Sequence, residues 1–310
     1  MRYDDTVATA RRGHDHAPAV AVRCFGTFEV RLAGEPVVCW HAGKARNLFQ
    51  YLLLNRGRII RREKLFETLW PGGVWSPSTS SLKVAVHAVR RTLDQAAGGR
   101  PGHPPVEIVC RAHGYQLNAT ELWLDVDEFD RAMREAHTAE SRGARAEAVA
   151  CYRRAAQLYD GDFLAGETGD WVEQQREYYR TRVLYALTCL RADALRRGDH
   201  TEAVDLCRRI LDVDPYHEET YQTLMVLHAR RGELGQVRNW HRMCVRRLRH
   251  DLDVPPTETT RRIFARAVRG ELRAPAPSAG RTDGARGRTA PRPRRRPGTR
   301  PDSWTARPRR

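Results

Sequence analysis

A chain of 310 residues, 41% hydrophobic and 8% aromatic, can build two ordinary cores, and a mean hydropathy of -0.65 excludes an integral membrane protein of helical type. Its longest apolar run, around Leu52–Leu54, falls far short of the roughly 20 residues of a membrane span, and Asp4 and Asp5 stand where a secretory leader would be basic and then apolar, so the cytoplasm is expected. A net charge of +16 points to a polyanionic partner, but twelve arginines against Asp283 and Asp302 place +10 of it in residues 273–310.

Residues 1–19 show no periodicity and read as a disordered leader. VRCFGTFEVRLAG, from Val22, alternates apolar and polar positions up to a Gly turn, which predicts a strand with EPVVCW as its partner. Helical spacing begins at Lys44, with Leu48, Phe49, Leu52 and Leu53 on one face, and Asn55-Arg56-Gly57 ends it. A second helix over Arg61–Leu69 gathers Leu65, Phe66 and Leu69 and stops at Pro71-Gly72-Gly73. A third is predicted from Ser76 as N-cap and Pro77 as first helical residue, because proline lacks the N–H that has no partner there. After a Gly/Pro-rich break at 98–105, VEIVCRAHGYQL predicts two short strands around a turn carrying Gly114. Three helices and a hairpin are the layout of a winged helix, assigned to residues 20–120.

From Leu124 the period is almost entirely helical, and RGARAEAVACYRR at Arg142 is echoed by RGDHTEAVDLCRR at Arg197 and, more weakly, by RGELGQVRNWHRM at Arg231. Gly198 and Gly232 are 34 residues apart, the tetratricopeptide period. The longer interval from Gly143 to Gly198 requires an insertion containing GDFLAGETGDW. The fold class is therefore mainly α with small β elements: a winged helix-turn-helix domain followed, over residues 121–272, by an all-α tetratricopeptide-like repeat domain, a generic helical bundle being the alternative. Residues 273–310, rich in Pro, Gly and Arg, read as a disordered tail.

No catalytic or metal motif emerges, so neither enzymatic activity nor a cofactor is expected. Gly43-Lys44 lacks the flanking residues of a phosphate-binding loop, the histidines include no H-E-x-x-H, no serine lies in a G-x-S-x-G elbow, and His14 and His16 stand alone in the leader. The seven cysteines form no C-x-x-C pair and read as reduced core thiols. The third helix carries the functional signal. Leu82, Val86, Val89 and Leu93 fall on one face, leaving Ser80, Val84, His87 and Arg91 outward, flanked by Lys83 and Arg90. Such a helix fits the major groove, where Lys or Arg reaches guanine and Val84 a thymine methyl. A solvated basic face would look alike by charge; the hairpin behind it favours DNA, because a wing brings Arg111 and His113 to the backbone or minor groove.

Residues from Val22 to Asn118 resemble the winged-helix effector domain of OmpR/PhoB-type response regulators, with VHAVRRTL and RAHGYQL matching the recognition-helix end and wing. LDVDEFD, GDFL, DWVEQQRE and RRLRHDLDVPPTETTRRIF resemble the bacterial transcriptional activator domain that follows this module in the antibiotic regulatory protein (SARP) family of actinobacteria. The resemblance implies a homodimeric activator of a pathway-specific, secondary-metabolite gene cluster. It would bind direct repeats in double-stranded DNA at promoters and recruit RNA polymerase through its sigma factor and core subunits. Two positions depart from the pattern: Arg61-Arg62 replaces the usual Ser cap of helix two, and His87-Ala88 stands where basic residues are common. The alternative is a tetratricopeptide adaptor binding RNA or acidic proteins, and sequence leaves activation against repression open.

Overall fold

The computed structural model describes residues 18–40, 43–76, 80–96 and 105–273. The tail beyond Arg273, almost all of the leader with His14 and His16, and the expected helix start at Pro77 lie outside these residues.

The N-terminal alternation forms two strands rather than one. β1 (Val20–Arg23) and β2 (Glu29–Leu32) pair antiparallel with Val20 opposite Leu32, and the residues between them make a turn. β3 (Glu35–Pro36) adds only two residues to the edge, so EPVVCW is a partner for β2 only at its start. α1 (Ala45–Leu54) buries Leu48, Phe49, Leu52 and Leu53, and is followed by β4 (Ile60–Arg61) and α2 (Arg62–Leu69). α3 is described over Ser81–Ala96, and its first turn closes from the Val84 N–H to the Ser80 carbonyl. β5 (Val106–Arg111) and β6 (Gly114–Ala119) form the expected hairpin, and β4 joins β6 to make a three-stranded sheet.

Gly114 is required by close approach. An added Cβ would lie 2.0 Å from the Ile60 carbonyl oxygen, so only glycine lets β4 pair with the base of the wing.

The helical region contains three hairpins: α4 (Asp125–Ser141) with α5 (Arg145–Leu158), α6 (Asp170–Arg197) with α7 (His200–Val213), and α8 (Glu218–Arg230) with α9 (Leu234–Arg246). A π-helical turn (Arg247–Asp251) and α10 (Glu258–Val268) complete it. The three repeated Arg-Gly pairs do one job. Gly143, Gly198 and Gly232 all sit near φ +74° (73°, 74° and 75°), and each donates its N–H to a carbonyl three residues back. The next residue in each case donates to a carbonyl five residues back, from Ala144 to Ala139, Asp199 to Ala194 and Glu233 to His228. This is the Schellman closure of a helix end, and its left-handed residue explains why glycine recurs there.

No free linker separates the two modules. Only Thr120 and Glu121 lie between β6 and β7 (Leu122–Leu124), and β7 pairs in parallel with β1, with Val22 opposite Leu124. One continuous core runs from Val20 and Phe25 through Phe129 and Tyr179 to Leu248. Among the described residues no helix is long and apolar enough to cross a membrane.

Candidate nucleic-acid interface

The heptad-like spacing of α3 sorts its side chains as expected. Leu82, Ala85, Val86, Ala88, Val89 and Leu93 are buried. Ser80, Lys83, Val84, His87, Arg90 and Arg91 are exposed, Val84 by 57%. Lys83, His87 and Arg91 make no hydrogen bond or ion pair with any described residue. The helix thus presents an unpaired cationic edge with one apolar group, all on a single exposed face.

Arg90 behaves differently from its neighbours. Its Nε and Nη2 both donate to the Ile108 carbonyl of β5, at 3.3 and 2.8 Å, so its guanidinium ties the wing to the recognition helix. This placement makes the Arg90 side chain a brace between α3 and the wing. On the wing, Arg111 donates through Nε to the Gln116 Oε1 at 3.1 Å, and the Gln116 Nε2 donates to the Gly57 carbonyl at 2.9 Å. That relay holds the Arg111 side chain in one orientation while leaving Nη1 and Nη2 for an outside acceptor. His113 is exposed at the turn.

Two arginines escaped the sequence reading as site residues. Because β4 pairs with β6, Arg61 lies opposite Gly114, and the Arg62 N–H donates to the His113 carbonyl at 3.2 Å. The Arg62 guanidinium reaches the Arg111 carbonyl at 3.5 Å and packs over the Tyr115 ring, 5.7 Å from its centroid. Arg61, Arg62, Arg111 and His113 therefore form one basic cluster at the wing. A two-residue strand leaves no periodicity to read, and the only signal was the Arg-Arg pair where a helix cap was expected.

The edge away from this cluster is fixed by the helical module. The buried Asp125 carboxylate accepts the N–H groups of Cys24 and Phe25 at 2.8–2.9 Å and that of Val126 at 2.8 Å, while burial pushes its pKa up to about 7. The insertion residues act as a latch. The Leu164 N–H donates to the Cys24 carbonyl, the Ala165 N–H donates to the Gly26 carbonyl, and the Gly26 N–H donates to the Asp162 carbonyl. Glu167, nearly buried, accepts from Asn47 at 2.8 Å and pairs with Arg46 at 2.5 Å, both on α1. The Trp171 ring meets Tyr51 edge-on at 5.3 Å, and Arg56 pairs with Asp127.

Comparisons with known proteins fit this geometry. The family model "Transcriptional regulatory protein, C terminal" matches residues 40–117, and "Bacterial transcriptional activator domain" matches residues 124–268. The chain is 25% identical over 245 residues to the regulatory protein AfsR of Streptomyces coelicolor, covering 76% of this chain and 24% of that one; it thus spans about a quarter of the AfsR length. It is 25% identical over 211 residues to the regulatory protein DnrI of Streptomyces peucetius, covering 65% of this chain and 78% of DnrI. Among solved structures, Mycobacterium tuberculosis EmbR shares the fold with a TM-score of 0.61 at 20% identity, over 82% of this chain and 66% of that one. A winged helix with an open outer face, joined through a shared sheet to a tetratricopeptide-like module, carries a transcriptional regulatory C-terminal domain followed by a bacterial transcriptional activator domain and is similar in this to the antibiotic regulatory protein (SARP) family.

Proposed function

We propose that this chain is a sequence-specific DNA-binding transcriptional regulator that activates a pathway-specific gene cluster. The observation that carries the reading is the set of unpaired, exposed side chains on one face of α3 beside a braced basic wing. Lys83, Val84, His87 and Arg91 read base edges in the major groove. Ser80, Arg111 and His113 hold the phosphate backbone, joined by Arg61. Arg90 fixes the wing against the helix and so sets the angle between these two groups.

One winged helix reads too few base pairs to select a site in a genome, so two copies bind together, on direct repeats as the family likeness suggests. The helical module pairs the copies and meets RNA polymerase, including its sigma factor. Genome-wide footprinting of the bound protein, followed by transcription from the occupied promoters, tests the reading. Occupied direct repeats with raised transcription are expected. Occupancy without sequence preference, or lowered transcription at the bound promoters, contradicts it.

A further inference from the structure

Most arginines of the helical module have a carboxylate partner: Arg142 pairs with Glu147, Arg153 with Glu202, Arg180 with Asp162 and Arg208 with Asp205. α9 breaks this habit. Between Glu233 and Asp251 there is no acidic residue, while Arg238, Arg242, Arg246 and Arg249 are all exposed and none pairs with a described residue. Four-residue spacing puts Arg238, Arg242 and Arg246 within about 80° of one another around the helix, roughly 6 Å apart along its axis, and Arg249 continues the row into the π-helical turn. The opposite face is committed to the core. Val237, Cys244 and Leu248 are buried, and the His241 ring stacks on Phe264 of α10 with centroids 3.8 Å apart. The row therefore cannot turn inward to find acids, and its members repel one another at i, i+4 until an anion covers them.

We infer that this arginine row is a second DNA contact, gripping the phosphate backbone of duplex flanking the site read by α3. The inference rests on the DNA-binding reading above. Three arginines spanning about 12 Å match a strand that carries a phosphate every 3.4 Å of helix axis, so several phosphates lie within reach of the row at once. The chain's own tail, with twelve arginines against two aspartates, and the same face of a second copy both carry the wrong charge to cover it. The contact adds affinity without base readout, and it makes binding depend on the length of DNA beyond the half-sites.

The test uses the full chain and a variant carrying Arg238→Gln, Arg242→Gln, Arg246→Gln and Arg249→Gln, which relieves like-charge repulsion and keeps good helix formers. Binding is measured over a salt series to two duplexes that carry the same site, selected by the wild-type chain from a random-sequence pool. One ends at the site and the other extends about two helical turns on each side. The wild type is expected to bind the long duplex more tightly and with a steeper log–log salt slope. In the variant that extra slope falls by about 0.9 for each arginine engaged, while binding to the short duplex is unchanged. Equal slopes for variant and wild type on the long duplex overturn the inference and leave the α3 reading intact. Loss confined to heparin or RNA, with DNA binding unchanged, assigns the row to another polyanion and also overturns it. Failure of the wild type to select any duplex removes the DNA-binding reading itself, and this inference with it.

Discussion

Asp125 and Arg90 carry opposite lessons about charged side chains. Asp125 is buried with three backbone N–H donors around it, and desolvation outweighs their downward pull, raising its pKa from 3.8 to about 7. Between about pH 4 and 7 the folded chain keeps a proton that the unfolded chain has lost, so this group makes stability fall as pH rises across that window. Asp125→Asn is expected to cost about 1–3 kcal/mol by leaving an N–H mismatched, and to remove that slope. Denaturant midpoints for both proteins from pH 4.5 to 7.5 check it, and parallel curves would contradict the assignment. Arg90 is exposed, yet its two hydrogen bonds to the Ile108 carbonyl predict a structural effect: Arg90→Ala should lower stability by about 1 kcal/mol and weaken DNA binding on all sequences alike. A loss confined to the selected site would instead make Arg90 a base reader. The sequence showed that Arg90 was exposed and basic, but not where its guanidinium went, because the Ile108 carbonyl lies 18 residues away on another element.

At the scale of elements, periodicity was a good guide wherever an element was long. α3 was legible because Leu82, Val86, Val89 and Leu93 mark its buried face, and the Arg-Gly pairs marked the three helix turns because a left-handed residue is needed at each. Local signals failed where tertiary pairing decided the outcome. EPVVCW reads as a full partner strand by alternation, but only Glu35 and Pro36 pair with β2. The alternation from Val22 to Gly34 gave no sign of the turn between β1 and β2, which is fixed by the Asp125 carboxylate and the Asp162–Leu164 segment. Gly114 tests the tertiary argument. Gly114→Ala should cost about 3 kcal/mol by pushing β4 off the wing, measured by thermal or denaturant unfolding. An unchanged midpoint would mean that the β4–β6 pairing does not brace the wing.

Across the whole molecule, the two modules meet at Thr120 and Glu121 and hold each other on both sides of that junction. β7 belongs to the N-terminal sheet, Glu167 is held by α1, and two intervening residues span only about 7 Å even when extended. If two copies pair through their helical modules, the winged domains stand at a fixed separation. Inserting five base pairs between direct half-sites should abolish paired binding, and inserting a full turn should not restore it, because the connection cannot supply the added 34–36 Å. Restored binding at the full turn, seen in gel-shift titrations at fixed salt, would show that the two modules separate. The central claim, that the outer face of α3 reads sequence, is tested most directly by the affinity ratio between a selected duplex and a scrambled one of equal length at one salt concentration. The wild type should show a ratio of about 10³ or more. His87→Ala and Arg91→Ala should each weaken the selected complex by about 1–3 kcal/mol and leave the scrambled complex nearly unchanged. A wild-type ratio near one, or a ratio that both variants leave untouched, would contradict the claim.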